Sequence, residues 1–428
     1  MPNSIRPANI ACRRIALVLG CTGVLAACSD SSDTPDLLSQ DAQVAAPPAL
    51  CDPLTPSYCG FPYPNDYWSV DDTATASGRR LALPTAIMPA NTSGDRSRPD
   101  AFNEMDGFSP GIAAMTHLPG ATVTGLATPD SIGTSLEADS PTVILNATTG
   151  KRVPHWVDLD EYVVQAKLRG DNGERRPGFD IPRDIDELRQ EKALMLRPAV
   201  RLDDATRYIV VIRRVVDENG IALAPSPGFA ALRDLQPSDD DVIRSRRGHF
   251  EALFDELADA GIEREDLQLA WDFTTASREN NTSAMLHMRD EALANHPRGV
   301  PYTMELRNEG LIEGMACRLE ITFDVPLYMT QGETGALFNL GPDGLPEQNG
   351  TYPYAAALIV PMSAQTEPAP LVAFGHGQLG AKEQVLGMQP LAVAENLAMF
   401  GLDWKGFSSD DTLTVITALG GGDLSTFR

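Results

Sequence analysis

Leu371-Val372-Ala373-Phe374-Gly375-His376-Gly377-Gln378 opens a stretch, running to Asp411, whose reading decides the fold of this chain. Leu371 to Phe374 is a short apolar run between Pro370 and Gly375, the pattern of a strand buried on both faces. A glycine-rich turn follows at Gly375 to Gln378. Leu391, Ala394, Leu397 and Ala398 are then spaced for one face of a helix. Met399 to Trp404 reads as a second strand, leading into Asp403-Trp404-Lys405-Gly406-Phe407-Ser408. Strand, turn, helix and strand make a βαβ unit, from which parallel sheets with helices on their faces are built.

His376-Gly377-Gln378 and Asp403-Trp404-Lys405-Gly406 resemble two motifs of the α/β-hydrolase family, at the ends of successive strands in many of its lipases and esterases. The resemblance covers about the last sixty residues. It implies acyl transfer on an ester or lipid, with one oxyanion donor from the backbone N–H of Gln378 or Leu379. It also implies a later G-x-S-x-G nucleophile elbow, then an acid and a histidine, and after Gly406 neither that elbow nor a histidine occurs. Residues 366–428 are therefore expected to be an incomplete, hydrolase-like beginning of a parallel sheet, with no complete catalytic set, and the chain as written is expected to be inactive. One G-x-S-x-G string exists, Gly107-Phe108-Ser109-Pro110-Gly111. It fails as an elbow because the residue after the nucleophile must donate its N–H, and Pro110 has none.

At the other end, Arg6, Arg13 and Arg14 precede an apolar run from Ile15 to Ala27, the composition of a targeting leader over residues 1–27. Leu25-Ala26-Ala27-Cys28 resembles a bacterial lipobox, which implies acylation of Cys28 and attachment to a membrane, with Ser29 favouring an outer-membrane address. Several acyl chains at about 0.8 kcal/mol per buried CH₂ anchor a protein firmly. Residues 28–50, rich in Ser, Asp, Ala and Pro, read as a flexible tether. Lys and Arg number 34 against 59 Asp and Glu, a net charge of −25 that repels phosphate backbones and argues against nucleic acid as a partner. In an exported chain Cys51 and Cys59 are expected to form a local disulfide, while Cys317, beside Met315 and Ala316, reads as a buried free thiol. His117, His155, His249, His287 and His296 are scattered, and no metal or cofactor motif occurs.

Residues 51–365 read as a β-rich region with inserted helices, giving an α+β class overall. The string from Leu194 through Arg197-Pro198-Ala199 to Tyr208 resembles Ig-like β-sandwich modules of bacterial surface proteins. A hairpin is expected from Val143–Asn146 and Val153–Leu159, turning at Thr149-Gly150. Leu267, Leu269, Trp271 and Phe273 alternate with polar or small residues, as in a half-buried strand. Phe250, Leu253, Phe254 and Leu257 mark a helix, with Ser238 and Asp241 as a capping box and Gly261 closing it, and a second helix is expected over Ser283–Asn295. The proline-rich aromatic stretch Tyr58 to Trp68 reads as an irregular segment packed across a domain, with a carbohydrate or lipid platform as the sharper alternative. The leading function is the N-terminal portion of a lipid-anchored serine esterase or lipase. The alternative is a non-catalytic surface lipoprotein, a binding or spacing module.

Overall fold

A computed structural model describes residues 51–160 and 192–421, apart from 90–93 and 95. Cys28, the leader and the tether lie outside them. The chain is mixed α and β, with four separate sheets among the described residues. The strands are β1 (Ser69–Asp71), β2 (Arg79–Leu81), β3 (Ala114–Thr116), β4 (Thr142–Asn146), β5 (His155–Leu159), β6 (Leu194–Pro198), β7 (Arg207–Arg213), β8 (Leu267–Thr274), β9 (Tyr302–Arg307), β10 (Met315–Pro326), β11 (Thr351–Pro361), β12 (Leu371–Gly375) and β13 (Ala398–Leu402). The α-helices are α1 (Asp100–Asn103), α2 (Pro227–Arg233), α3 (Asp241–Asp259), α4 (Arg278–Asn295), α5 (Gln389–Ala394) and α6 (Thr412–Gly421).

The main core is organised on the antiparallel sheet β4-β7-β8. Every residue of β8 is buried, where its alternation predicts a strand with one wet face. Its polar members are accommodated by partners: Gln268 accepts the Val215 N–H and donates to the carbonyls of Val215 and Leu223, and Asp272 receives Arg207 and His249. Helix α3 adds Ile243, Phe250, Leu253, Phe254 and Leu257 to the same core, each large apolar side chain contributing about 1.5–3 kcal/mol. Its N-cap is Asp240, whose carboxylate accepts the N–H groups of Val242 and Ile243; Ser238 instead accepts from Asp240, so the expected capping box does not form. Gly261 follows the helix in the left-handed region, φ +73°, as expected of a closing glycine. The second helix begins earlier than its apolar pattern predicts, at Arg278, because Ser277 caps Asn280.

The expected hairpin starts and then divides. Asn146 and Val153 pair with Lys151 and Ile144 around the turn, but β4 continues beside β7 whereas β5 joins β6 and β3 in another sheet. Pairing along a turn is local; which sheet a strand joins is decided by distant partners, which local alternation does not encode. The aromatic stretch packs inward: Trp68 is fully buried, and Tyr63 meets the edge of Phe108 with centroids 5.4 Å apart. Cys51 and Cys59 are bridged and Cys317 is free, although only partly buried.

The candidate site belongs to a five-stranded sheet in the order β12-β13-β11-β10-β9, which runs through residue 365, where sequence alone places a domain boundary. It is mixed and not parallel throughout: β12 and β13 are parallel, and the other neighbours are antiparallel. One face carries α5 and the 3₁₀ turn Lys382–Met388 over a small core of Met315, Ala357, Ile359, Val385, Ala392 and Met399. On the other face the register aligns Ala373, Phe400, Leu358, Leu319 and Leu306, with Leu371, Ile321, Met304, Phe323 and Tyr302 on neighbouring rows. Its outer rows lie open, with Leu371 63%, Leu306 59%, Tyr302 58% and Met304 56% exposed. β12 is thus an exposed edge strand, not one buried on both faces.

Candidate functional site

The end of β12 and the end of β13 are tied together by one imidazole. His376 is buried; its Nδ1–H donates to the Gly377 carbonyl at 2.8 Å, and its Nε2 accepts the Trp404 N–H at 3.0 Å. Both bonds require the neutral ring with the proton on Nδ1, which fixes the tautomer. The ring also lies near-parallel to Phe407, at 16° and 6.3 Å between centroids. His376 is therefore a clamp between strand ends and not a free base.

Asp403 performs a similar task one residue earlier. Its carboxylate accepts the Lys382 N–H at 2.6 Å and meets the Lys382 ammonium at 3.3 Å, so the turn after β12 is pinned to the end of β13. Burial works against the Lys382 charge, but the carboxylates of Glu383 and Asp403 outweigh it and hold its pKa above the ordinary lysine value. The approach is close enough that a Cβ on Gly401 would stand 2.7 Å from the Lys382 carbonyl oxygen. Gly406 has φ +79°, which a side chain would strain, and the turn there closes with the Phe407 N–H on the Trp404 carbonyl.

The backbone donors of the turn can be assigned one by one. The Gly377 N–H goes to Gln384 Oε1 at 3.1 Å, and the Gly380 N–H to the Gly377 carbonyl at 2.9 Å. The Leu379 N–H donates to the Phe407 carbonyl at 2.9 Å, with Leu379 itself at φ +53°. Of the two oxyanion donors expected, Leu379 is thus already engaged. The Gln378 N–H has no hydrogen-bond partner among the described residues, and Gln378 is exposed. His376, Gly377, Asp403 and Gly406 meet around one open amide. Gln384, Lys382 and Phe407 complete the arrangement, and nothing in their sequence context signalled it.

No serine at this turn is poised to attack. Ser408 gives its hydroxyl and its N–H to Asp411 Oδ2, at 2.9 and 3.0 Å, in a capping box ahead of α6. Ser109 is remote in the fold: its Oγ accepts the Gly111 N–H at 3.2 Å, and the neighbouring Phe108 donates its N–H to Thr274 at the end of β8 and accepts the Ala276 N–H beyond it. The residues after Ser109 form a turn and lead into β3, not into a helix, so the string is not a strand-to-helix elbow.

Two polar clusters lie elsewhere. Asp272, inside the main core, accepts Arg207 Nε at 2.6 Å and faces His249 Nε2 at 2.9 Å. Burial would raise its pKa, but His249 and Arg207 together pull it down to about 2. Ser57 Oγ lies 2.6 Å from Nδ1 of His117, a pair sixty residues apart that no motif spacing reveals.

No protein-family model matches the chain, and no curated protein matches it. Among solved structures, an acetyl xylan esterase from Paenibacillus sp. R4 is similar over 29% of this chain and 32% of that one, at 15% identity and a TM-score of 0.19. The chain thus spans about a third of the length of that structure. A similarity of this extent carries no argument about fold or activity.

Proposed function

We propose that the turn after β12 is the oxyanion-stabilising element of an exported, lipid-anchored ester hydrolase of the serine esterase or lipase type. The observation that supports it is the single open amide of Gln378, in a turn whose other amides at Gly377, Leu379 and Gly380 are engaged. A donor held rigid before the substrate arrives needs no reorganisation when negative charge develops on the carbonyl oxygen, and one such donor is worth about 10²–10³ in rate. His376 and Asp403 serve as positioning residues: the first joins Gly377 to Trp404, the second holds Lys382, and between them Gln378 keeps its place. The nucleophile, its acid and its base are assigned to no residue of this turn. Export and acylation at Cys28 rest on the leader and its Leu25-Ala26-Ala27-Cys28 end, and an oxidised Cys51–Cys59 pair is in keeping with an oxidising compartment.

The test is a titration of protein labelled with ¹⁵N-glutamine against a short alkylphosphonate monoester, whose tetrahedral anion mimics the oxyanion. The Gln378 amide is expected to shift saturably, identified by its loss in Gln378→Glu, while the remaining glutamine amides stay still. No shift at Gln378 up to millimolar phosphonate would remove the reading.

A further inference from the structure

The loop closed by Cys51–Cys59 carries a second place for acyl chemistry. Within it Thr55-Pro56-Ser57-Tyr58 is a tight turn, closed by the Tyr58 N–H on the Thr55 carbonyl at 3.1 Å, with proline at its second position. Ser57 sits at the third position, exposed, and its N–H makes no hydrogen bond among the described residues. Its hydroxyl lies 2.6 Å from Nδ1 of His117, a buried residue directly after β3. The edge of the His117 ring meets the Tyr58 ring, at 77° and 4.9 Å between centroids, and the hydroxyls of Thr55 and Thr116 share a hydrogen bond of 3.1 Å. Two adjacent points thus hold the loop on the segment that carries His117.

The loop is also docked at its root. Asp52, fully buried, accepts from Arg246 of α3 at 2.8 Å, from Asn65 at 2.8 Å and from the Leu54 N–H at 2.9 Å. Arg246 in turn lies over the rings of Tyr67 and Phe250. Ser57 and His117 both line a cavity of about 360 Å³ whose other walls include Leu54, Leu118, Pro119, Leu223, Pro225 and Leu269. That volume is at the small end of ligand sites, and the walls are apolar. Of the other polar side chains on the wall, Gln268 is committed to the backbone of Val215 and Leu223, Thr55 bonds to Thr116, and Ser226 accepts the Phe229 N–H, so the polar chemistry of the cavity concentrates on the Ser57–His117 pair.

We infer that Ser57 is a nucleophile served by His117 as general base, and that the cavity takes the short apolar acyl group of an uncharged ester. In the tautomer with the proton on Nε2, Nδ1 accepts the Ser57 proton as Oγ bonds to the ester carbonyl carbon. The negative oxygen so formed is met by the free Ser57 N–H, the same use of a nucleophile's own amide as in the serine protease template. The carbon–oxygen bond to the alcohol breaks, the alcohol leaves with the proton from Nδ1, and water repeats the steps to release the acid and restore Ser57. The net charge of −25 disfavours an anionic substrate. This site is independent of the turn at His376, and it runs against the expectation of an inert chain, which considered only serines in elbow strings.

The experiment is labelling of the whole protein with a butyl fluorophosphonate carrying a reporter, followed by peptide mapping. Ser57 is expected to be the modified residue, with labelling abolished in Ser57→Ala. His117→Gln keeps a hydrogen-bonding side chain but cannot take the proton, and should slow labelling about 100-fold or more. Leu223→Trp, which fills the cavity and leaves the pair in place, should slow the butyl probe at least tenfold more than a methyl one, and decides the matter should His117→Gln misfold. An unlabelled Ser57, or labelling at the wild-type rate in folded His117→Gln, would overturn the inference. So would equal rates for the two probes in Leu223→Trp.

Discussion

Acid should dismantle the Asp272 network before it affects the rest of the core. Asp272 is ionised inside the protein because His249 and Arg207 more than offset its burial, which sets its pKa at about 2 against an ordinary 3.8. A depressed carboxylate pKa stabilises the folded state fully above the unfolded value and loses that contribution as pH falls through the folded one. At about 1.4 kcal/mol per pKa unit the contribution is on the order of 2 kcal/mol, most of which is gone by pH 2.5. Asp66 acts in the opposite sense. Burial and the charge of Asp272 raise its pKa, so its ionised form costs stability that acid relieves, and the net slope of the wild type is gentler. Urea midpoints between pH 6 and pH 2.5 should therefore show three behaviours. Asp272→Asn, which leaves Arg207 inside with only Glu256 as acid partner, should cost about 3–5 kcal/mol at pH 6. That cost should shrink by about 1–2 kcal/mol at pH 2.5, and in Asp66→Asn the loss of stability on acidification should be larger than in the wild type. A difference between wild type and Asp272→Asn that stays constant across this range would refute the reasoning, because Asp272 would then not be ionised with a depressed pKa.

Two further outcomes are expected. His376→Ala should cost about 2–4 kcal/mol in urea unfolding, since it leaves the Trp404 N–H without its acceptor and takes one of two donors from the Gly377 carbonyl, and exchange of the Trp404 amide should quicken in parallel. Metabolic labelling with a radioactive fatty acid should mark the protein in a bacterial host and fail to mark Cys28→Ala; an unlabelled wild type would remove the lipid anchor from the proposal.

Local signals were legible where chemistry and partners are close in the chain. The eight-residue spacing of Cys51 and Cys59, the apolar face of α3 and the strand–turn–helix–strand order around His376 all depend on near neighbours, and all are present in the fold. What failed depended on distant ones. Leu371 to Phe374 reads the same whether its second face is covered or open, so the exposure of β12 could not be inferred. Alternation in β8 predicts a wet face, yet Val215, Leu223, Arg207 and His249 arrive from elsewhere to satisfy Gln268 and Asp272. Leu379 stood level with Gln378 as a donor until the Phe407 carbonyl, brought round by the turn at Gly406, took its amide. Ser57 and His117 had no signal at all, because sixty residues separate them and neither stands in a motif.

The five-stranded sheet shows what the open amide of Gln378 has around it. On the face carrying α5 the residues change character across the strands, from Val372, Met399 and Ile359 near the helix to Glu320, Arg318, Glu305 and Arg307 at the far side, where paired charges meet water. The opposite face makes no such change: Ala373, Phe400, Leu358, Leu319 and Leu306 run apolar from edge to edge, with Leu371 on the next row. A sheet in contact with water on that side would carry polar residues at alternate positions there, as it does on its charged flank, and contiguous apolar surface of this kind marks a place of interaction. Around β12, one side is filled by β13 and one face by α5, so the free edge and the apolar face are the directions left for approach.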